Sequence, residues 1–309
     1  MGRRLAAVAL LATSGAFLAL AASAGVQATT GTSAKTTTPT PTNATAATTT
    51  TLWPSTTAVR PAATTVPAAT TSTALAPSTT VFPPTVAGDP FDGFTLLRDF
   101  YGRLGVDPFS AADLVDQAAP GSTAEAFLYH EIGAAIAIFD HTSDPLPAYT
   151  VTQTGPSVSV CRDDGVCETF GDFVAVAGAL DTLTLDGQPM DDRAGSYQRL
   201  TTVETLTLDA SFGVRRPRDE LLSVVALLTA EGGGTTFAWE QTAYVDATGE
   251  QLPIDVATSL YPVRIEDGDF GVAHLLIPGA TDDGQLVVPI TTDLTGVPTT
   301  IRVPVLLLR

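Results

Sequence analysis

At Asp144-Pro145 the hydrophobic pattern changes its period, and this change limits the fold more than any other feature of the chain. Before it, apolar residues recur at helical spacing; after it, they alternate. Asp89 and Pro90 form an N-cap followed by proline at the first helical position. Phe94, Leu97, Tyr101 and Leu104 then fall on one face, and Gly105 can end the helix. Asp107-Pro108-Phe109 repeats the starting device and opens a short helix through Leu114 and Val115, which Pro120-Gly121 breaks. Ser122 and Glu125 have the spacing of a capping box. Phe127, Leu128, Ile132, Ala135, Ile136 and Phe139 continue from it as the apolar stripe of a longer helix ending near His141.

The alternating part begins with Tyr149 and Val151, followed by Val158 and Val160. Between Cys161 and Cys167 two hairpins compete. A two-residue turn at Asp164-Gly165 pairs Arg162 with Cys167 and leaves the cysteines out of register. A three-residue loop of Asp163, Asp164 and left-handed Gly165 pairs Arg162 with Val166 and sets Cys161 opposite Cys167. A disulfide between these cysteines, the only two in the chain, selects the second hairpin. Phe170, Phe173 and Val174 extend that strand, and Leu180, Leu183 and Leu185 form another before the Asp186-Gly187-Gln188-Pro189 turn. Further strands are expected over 201–209, 221–230, 235–245, 270–277, 285–291 and 299–308. Their spacing and turn clusters predict an antiparallel sandwich, with Arg215-Arg216-Pro217-Arg218 as an exposed loop. The chain ends within the last strand, with no sorting motif or C-terminal anchor expected.

The N-terminal part cannot contribute a core. Arg3 and Arg4 precede an apolar, uncharged run over 5–20, and Ala22-Ser23-Ala24 is a small-residue cleavage pattern. Residues 1–24 therefore read as a secretory signal peptide. No cysteine follows the cut and the arginine pair lacks twin-arginine flanks, so general secretion is expected. If uncleaved, the same run is long enough to serve as an N-terminal membrane anchor; after cleavage no membrane span is expected. Residues 25–88 are nearly all Thr, Ala, Pro and Ser, with Lys35 and Arg60 as the sole charges. Such a composition predicts a disordered, extended stalk of the kind that carries O-linked glycans. Asn43-Ala44-Thr45 fits an N-glycosylation acceptor. Both readings of the first segment place the rest of the chain outside the cytoplasm, secreted or on the outer side of the cell envelope.

Of 15 basic and 33 acidic residues, only Arg3, Arg4, Lys35 and Arg60 precede Asp89, leaving 11 basic against 33 acidic beyond it. A surface this acidic repels phosphate backbones and anionic membranes, which argues against nucleic-acid partners. Solubility is the simplest account of the charge, and the partner is an unknown envelope or extracellular one.

The chain's candidate chemical motifs are mostly turns or incomplete patterns. His130-Glu131 begins like a zinc-protease helix, but Ala134 stands where the second histidine would be. With three histidines and both cysteines paired, no metal is expected. No Gly-x-Ser-x-Gly elbow occurs, and Gly232-Gly233-Gly234 lacks a following lysine. The Asp/Gly clusters at Asp163, Asp267 and Asp282 lack the spaced ladder of a calcium loop and read as plain turns. No cofactor is expected.

Three helices followed by a curved antiparallel meander resemble the cone-shaped fold of nuclear transport factor 2 and the ketosteroid isomerases. The likeness covers about 89–193 and rests on the capped helix ending at His141 and on the run from Val158 through Cys161 and Cys167 to Phe173. Secreted actinobacterial proteins of unknown function look like this. Residues 196–309 resemble the immunoglobulin-like sandwiches that accompany such domains, through Ala243-Tyr244-Val245-Asp246 and Leu276-Ile277-Pro278-Gly279. The expected fold is thus α+β: a stalk, then an α+β cone-like domain over 89–193, then an all-β sandwich over 196–309. The resemblance implies a cavity between helix and sheet, toward which Tyr129, His130 and Asp140 are the candidate pocket residues. The residues themselves favour a plainer reading, a solvated helix edge with Glu131 as charged neighbour of the core side. The expected function is non-enzymatic, a binding or structural role outside the cytoplasm. A small-ligand-binding or isomerase-like domain is the alternative, and a surface adhesin or surface-layer component the third reading. An apolar pocket with converging polar groups would separate the second from the first.

Overall fold

The computed structural model describes residues 91–280 and 282–307. The expected signal peptide, the expected stalk and the expected Asp89-Pro90 cap lie outside the described residues. Among the described residues, the fold is mostly β, with antiparallel sheets and few helices. Helix α1, Gly93–Leu104, is capped by Asp92, whose carboxylate accepts from the Thr95 amide. A 3-10 helix, Pro108–Gln117, starts at Asp107, which accepts from the Phe109 amide. Helix α2, Thr123–His141, starts at Ser122, which accepts from the Glu125 amide. The Glu125 carboxylate reaches back to the Gly121 amide at 2.7 Å, one residue before the position a capping box prescribes.

Strands β1 (Tyr149–Thr154), β2 (Ser157–Arg162), β3 (Cys167–Val176), β4 (Ala179–Leu185) and β5 (Gln188–Pro189) form an antiparallel meander. Cys161 faces Cys167 across β2 and β3 and the two form a disulfide. The Arg162 amide donates to Val166 and Gly165 has φ +86°, so the connection is the three-residue loop.

The second sheet runs β14 (Phe270–Ile277), β9 (Leu222–Ala230), β8 (Leu206–Arg215), β6 (Ala194–Tyr197), with β7 (Thr201–Val203) also on β8. The third runs β12 (Gln251–Pro253), β11 (Ala243–Asp246), β15 (Gly284–Thr292), β10 (Thr235–Phe237), β13 (Arg264–Ile265), with β16 (Pro298–Val305) also on β15. Two expected strands are corrected. The stretch 201–209 is a hairpin, β7 turning at Glu204 (φ +54°) into β8. The stretch 235–245 is interrupted by a 3-10 turn, Trp239–Gln241, whose indole donates to the Pro262 carbonyl at 2.7 Å.

Two cores result. One lies between the second and third sheets and holds Leu206, Leu208, Val224, Leu228, Leu275, Val288 and Val303. The other joins α1, α2 and the meander to the opposite face of the second sheet through Ala210, Phe212, Val214, Val225, Leu227 and Val272. Strand β8 serves both by means of a bulge. Leu208 pairs with Leu228 and Ala210 with Leu227, which leaves Asp209 as an extra residue. That extra residue turns the even-numbered side chains from one face of the sheet to the other.

Helix α2 is therefore sandwiched. Phe127 meets Phe170 of the meander, with ring centroids 5.8 Å apart, and Tyr129 meets Phe212 of β8 at 5.2 Å. This core crosses the boundary expected near 193–196. Gly133 marks a close approach: a Cβ there would lie 2.3 Å from Val225 Cγ1. Covering by the second sheet overturns the solvated-edge reading, since His130 is fully buried and Glu131 is 7% exposed. Phe139, placed on the apolar stripe by spacing, is instead exposed at the end of the helix. Among the described residues no helix is long and apolar enough to cross a membrane.

Candidate functional site

A chain of polar side chains runs through the second sheet's contact with α2. Ser223, Val225 and Leu227 point from β9 toward α2, alternating with Leu222, Val224 and Ala226, which face the sandwich core. His274 on β14 pairs with Val225 in register, and Leu276 with Ser223, so His274 is the diagonal neighbour of Ser223. Ser223 Oγ lies 2.8 Å from His130 Nε2 and 2.7 Å from His274 Nε2. His130 Nδ1 lies 3.1 Å from Glu131 Oε1, and Arg216 Nη2 donates to that same oxygen at 2.6 Å. The second arm of Arg216 bonds Glu168 of β3. Arg216 thus ties α2 to the meander, and the loop expected to be exposed holds a half-buried ion pair on each side.

The proton positions follow from the charges. Burial alone would raise the Glu131 carboxyl, but the Arg216 guanidinium and the His130 N–H outweigh it and hold Glu131 well below the usual carboxylate range. An ionised Glu131 is a pure acceptor, so His130 Nδ1 carries the proton and donates to it. Burial lowers the His130 pKa despite the favourable pull of Glu131, keeping the ring neutral with a bare Nε2. Ser223 then donates its hydroxyl proton to His130. Ser223 Oγ in turn accepts from His274 Nε2–H. Burial first, then the neighbouring His130 and Arg216, push the His274 pKa down to about 3. Every link from His274 through Ser223 and His130 to Glu131 therefore has one direction.

This network borders a cleft of about 330 Å³. Its apolar walls include Ala134, Ala135 and Ile138 of α2, Val160 of β2, and Leu221 and Leu276. Ser223, His274, Glu131, Arg216, Tyr101 and Tyr149 supply its polar side. The Tyr101 hydroxyl is buried with no hydrogen-bond partner, and it faces the Glu131 carboxylate without completing a bond. Burial, then the charge of Glu131, raise both tyrosine pKa values, so both hydroxyls stay protonated and able to donate. Arg218 and Asp219 lie at the exposed mouth.

Of the three residues singled out in the sequence, His130 belongs to this network. Tyr129 packs in the core against Phe212, away from the cleft. Asp140 lines a separate open groove with Phe139, His141, Arg264 and Phe270. Ser223, His274 and Arg216 were not singled out. The available signal was a serine opening the apolar run 222–230 and a histidine inside the apolar run 270–277. Polar side chains on the covered face of such strands need partners from whatever packs on it. Among the described residues no group of three or more His, Cys, Asp or Glu side chains is placed to hold a metal ion. No protein family, no curated protein and no solved structure matches the chain.

Proposed function

We propose that the folded part binds a small organic molecule in this cleft, as an extracytoplasmic binding protein carried on, or released from, a stalk. The observation that carries the reading is the meeting of apolar walls with an unpartnered, buried Tyr101 hydroxyl. An orphaned buried donor costs free energy unless something accepts from it, and a bound carbonyl or hydroxyl oxygen is suited to do so. The ligand class is uncharged, mostly apolar and oxygen-bearing, because the charged lining balances, Glu131, Glu168 and Asp219 against Arg162, Arg216 and Arg218, while the remaining walls are largely apolar. The cone-like and immunoglobulin-like resemblances belong to this proposal, supported by the helices on a meander and by the two sheets facing across a core.

Titration with an environment-sensitive apolar dye tests it. Saturable one-site binding should be lost in Ala134→Phe, which fills the cleft from α2 while the fold is retained. Absence of saturable binding, or equal binding by the two proteins, would overturn the proposal.

A further inference from the structure

The cleft ends at a serine whose surroundings match a requirement of nucleophilic catalysis: a hydroxyl bonded to a histidine, itself oriented by a carboxylate. The Ser223 Oγ to His130 Nε2 distance is 2.8 Å and the His130 Nδ1 to Glu131 Oε1 distance is 3.1 Å. Arg216, itself held by Glu168, fixes the carboxylate, so Glu131 orients the ring. The tautomer this imposes leaves Nε2 bare toward the serine, as a general base requires. His274 occupies one lone pair of Oγ, and the other remains for attack. Tyr101, unpartnered and lining the same cleft, is an available donor for an oxygen that becomes negative.

We infer that Ser223 is a nucleophile that hydrolyses small uncharged esters bound in the cleft, with His130 as its base. The inference rests on the cleft being a ligand site. In the first half, Oγ bonds to the ester carbonyl carbon and its proton passes to His130 Nε2. The carbonyl π pair moves onto oxygen, then returns to expel the alkoxide, which takes the proton from His130. In the second half, water adds to the acyl carbon, gives its proton to His130, and the acid departs as Ser223 recovers the proton. The sum is ester plus water to acid plus alcohol. Ser223 is 2% exposed, so only a slim group at the inner end reaches it. That selects short-chain esters and excludes folded protein substrates. This serine lies within a strand and not on a strand-to-helix elbow, so the reading stands on side-chain geometry alone.

The full chain would be incubated with a reporter-tagged fluorophosphonate, digested and sequenced by mass spectrometry. Hydrolysis of p-nitrophenyl butyrate would be followed in the same preparation, alongside Ser223→Ala. The expected result is a single label on Ser223 and a fall of roughly a hundredfold or more in hydrolysis for Ser223→Ala. A wild-type protein that takes no label on Ser223, or hydrolyses no faster than Ser223→Ala, overturns the inference, and labelling needs no variant to fold. Dye binding measured in parallel separates the two ideas. Binding without labelling removes the nucleophile and leaves the ligand site; loss of both removes the ligand site as well.

Discussion

His130 on α2 and Ser223 at the start of β9 are 93 residues apart in sequence, and His130 Nε2 lies 2.8 Å from Ser223 Oγ. Both are buried, so each satisfies a polar group of the other that bulk solvent largely does not. Ser223→Ala strands the histidine nitrogen, and should lower folding stability by about 1–3 kcal/mol. Urea unfolding measures this. A change within about 0.5 kcal/mol would mean the histidine finds another partner.

Gly133 sets how closely α2 approaches the second sheet. Gly133→Ala gains up to about 1 kcal/mol of helix propensity, but its Cβ would meet the stiff Val225 side chain at 2.3 Å. Overpacking of this kind costs about 1–3 kcal/mol, so the net effect should be a loss. Trimming the partner in Gly133→Ala, Val225→Ala should recover part of it, and a double variant no better than the sum of the singles would refute the contact.

Much of this arrangement was legible in the sequence. Asp107 and Ser122 start helices as their positions imply, and the disulfide picks the three-residue loop over the two-residue turn. Other features depend on contacts that local pattern does not encode. The bulge at Asp209 inverts the facing of β8 without leaving an alternation to read. The run Leu222 to Ala230 is apolar on both faces, which marks a sheet covered on both sides but does not say that α2 is the cover. Without that contact, local pattern leaves Glu131 and Arg216 solvated and gives Asp140 the same standing as His130.

The two neutral histidines make stability depend on pH. His274 falls to about 3 in the folded protein from an ordinary value of 6.5, and His130 shifts in the same direction. Above about pH 6.5 neither state carries these protons, and the stabilisation is complete. As pH falls below 6.5 the unfolded chain takes up protons that the folded one refuses, so stability declines toward pH 3. Glu131, Glu168, Arg216, Tyr101 and Tyr149 surround the pair; of the acids, Glu131 with its lowered pKa adds a loss of the same sign below its ordinary 4.5. Melting temperature should drop between pH 7 and 5, and His274→Gln should flatten that drop. A melting temperature that rises over the same interval in wild type would contradict the assignment.

The disulfide closes a short loop, its two cysteines six apart in sequence. Its chain-entropy contribution is about 2 kcal/mol, enough to pin the register of β2 and β3 without holding the whole fold. Cys161→Ser, Cys167→Ser should fold cooperatively with a lower melting temperature. Failure of the double variant to fold would show that the hairpin register is required for the meander to form.

The most direct measurement is of the imidazole protons. In ¹⁵N-histidine-labelled protein, long-range ¹H–¹⁵N spectra distinguish the two neutral tautomers from the imidazolium. At pH 7.5 His130 should be neutral and protonated on Nδ1, while His274 should be neutral and protonated on Nε2, so that protons point one way from His274 through Ser223 to Glu131. An imidazolium at either position at pH 7.5, or the same tautomer at both, would contradict this arrangement.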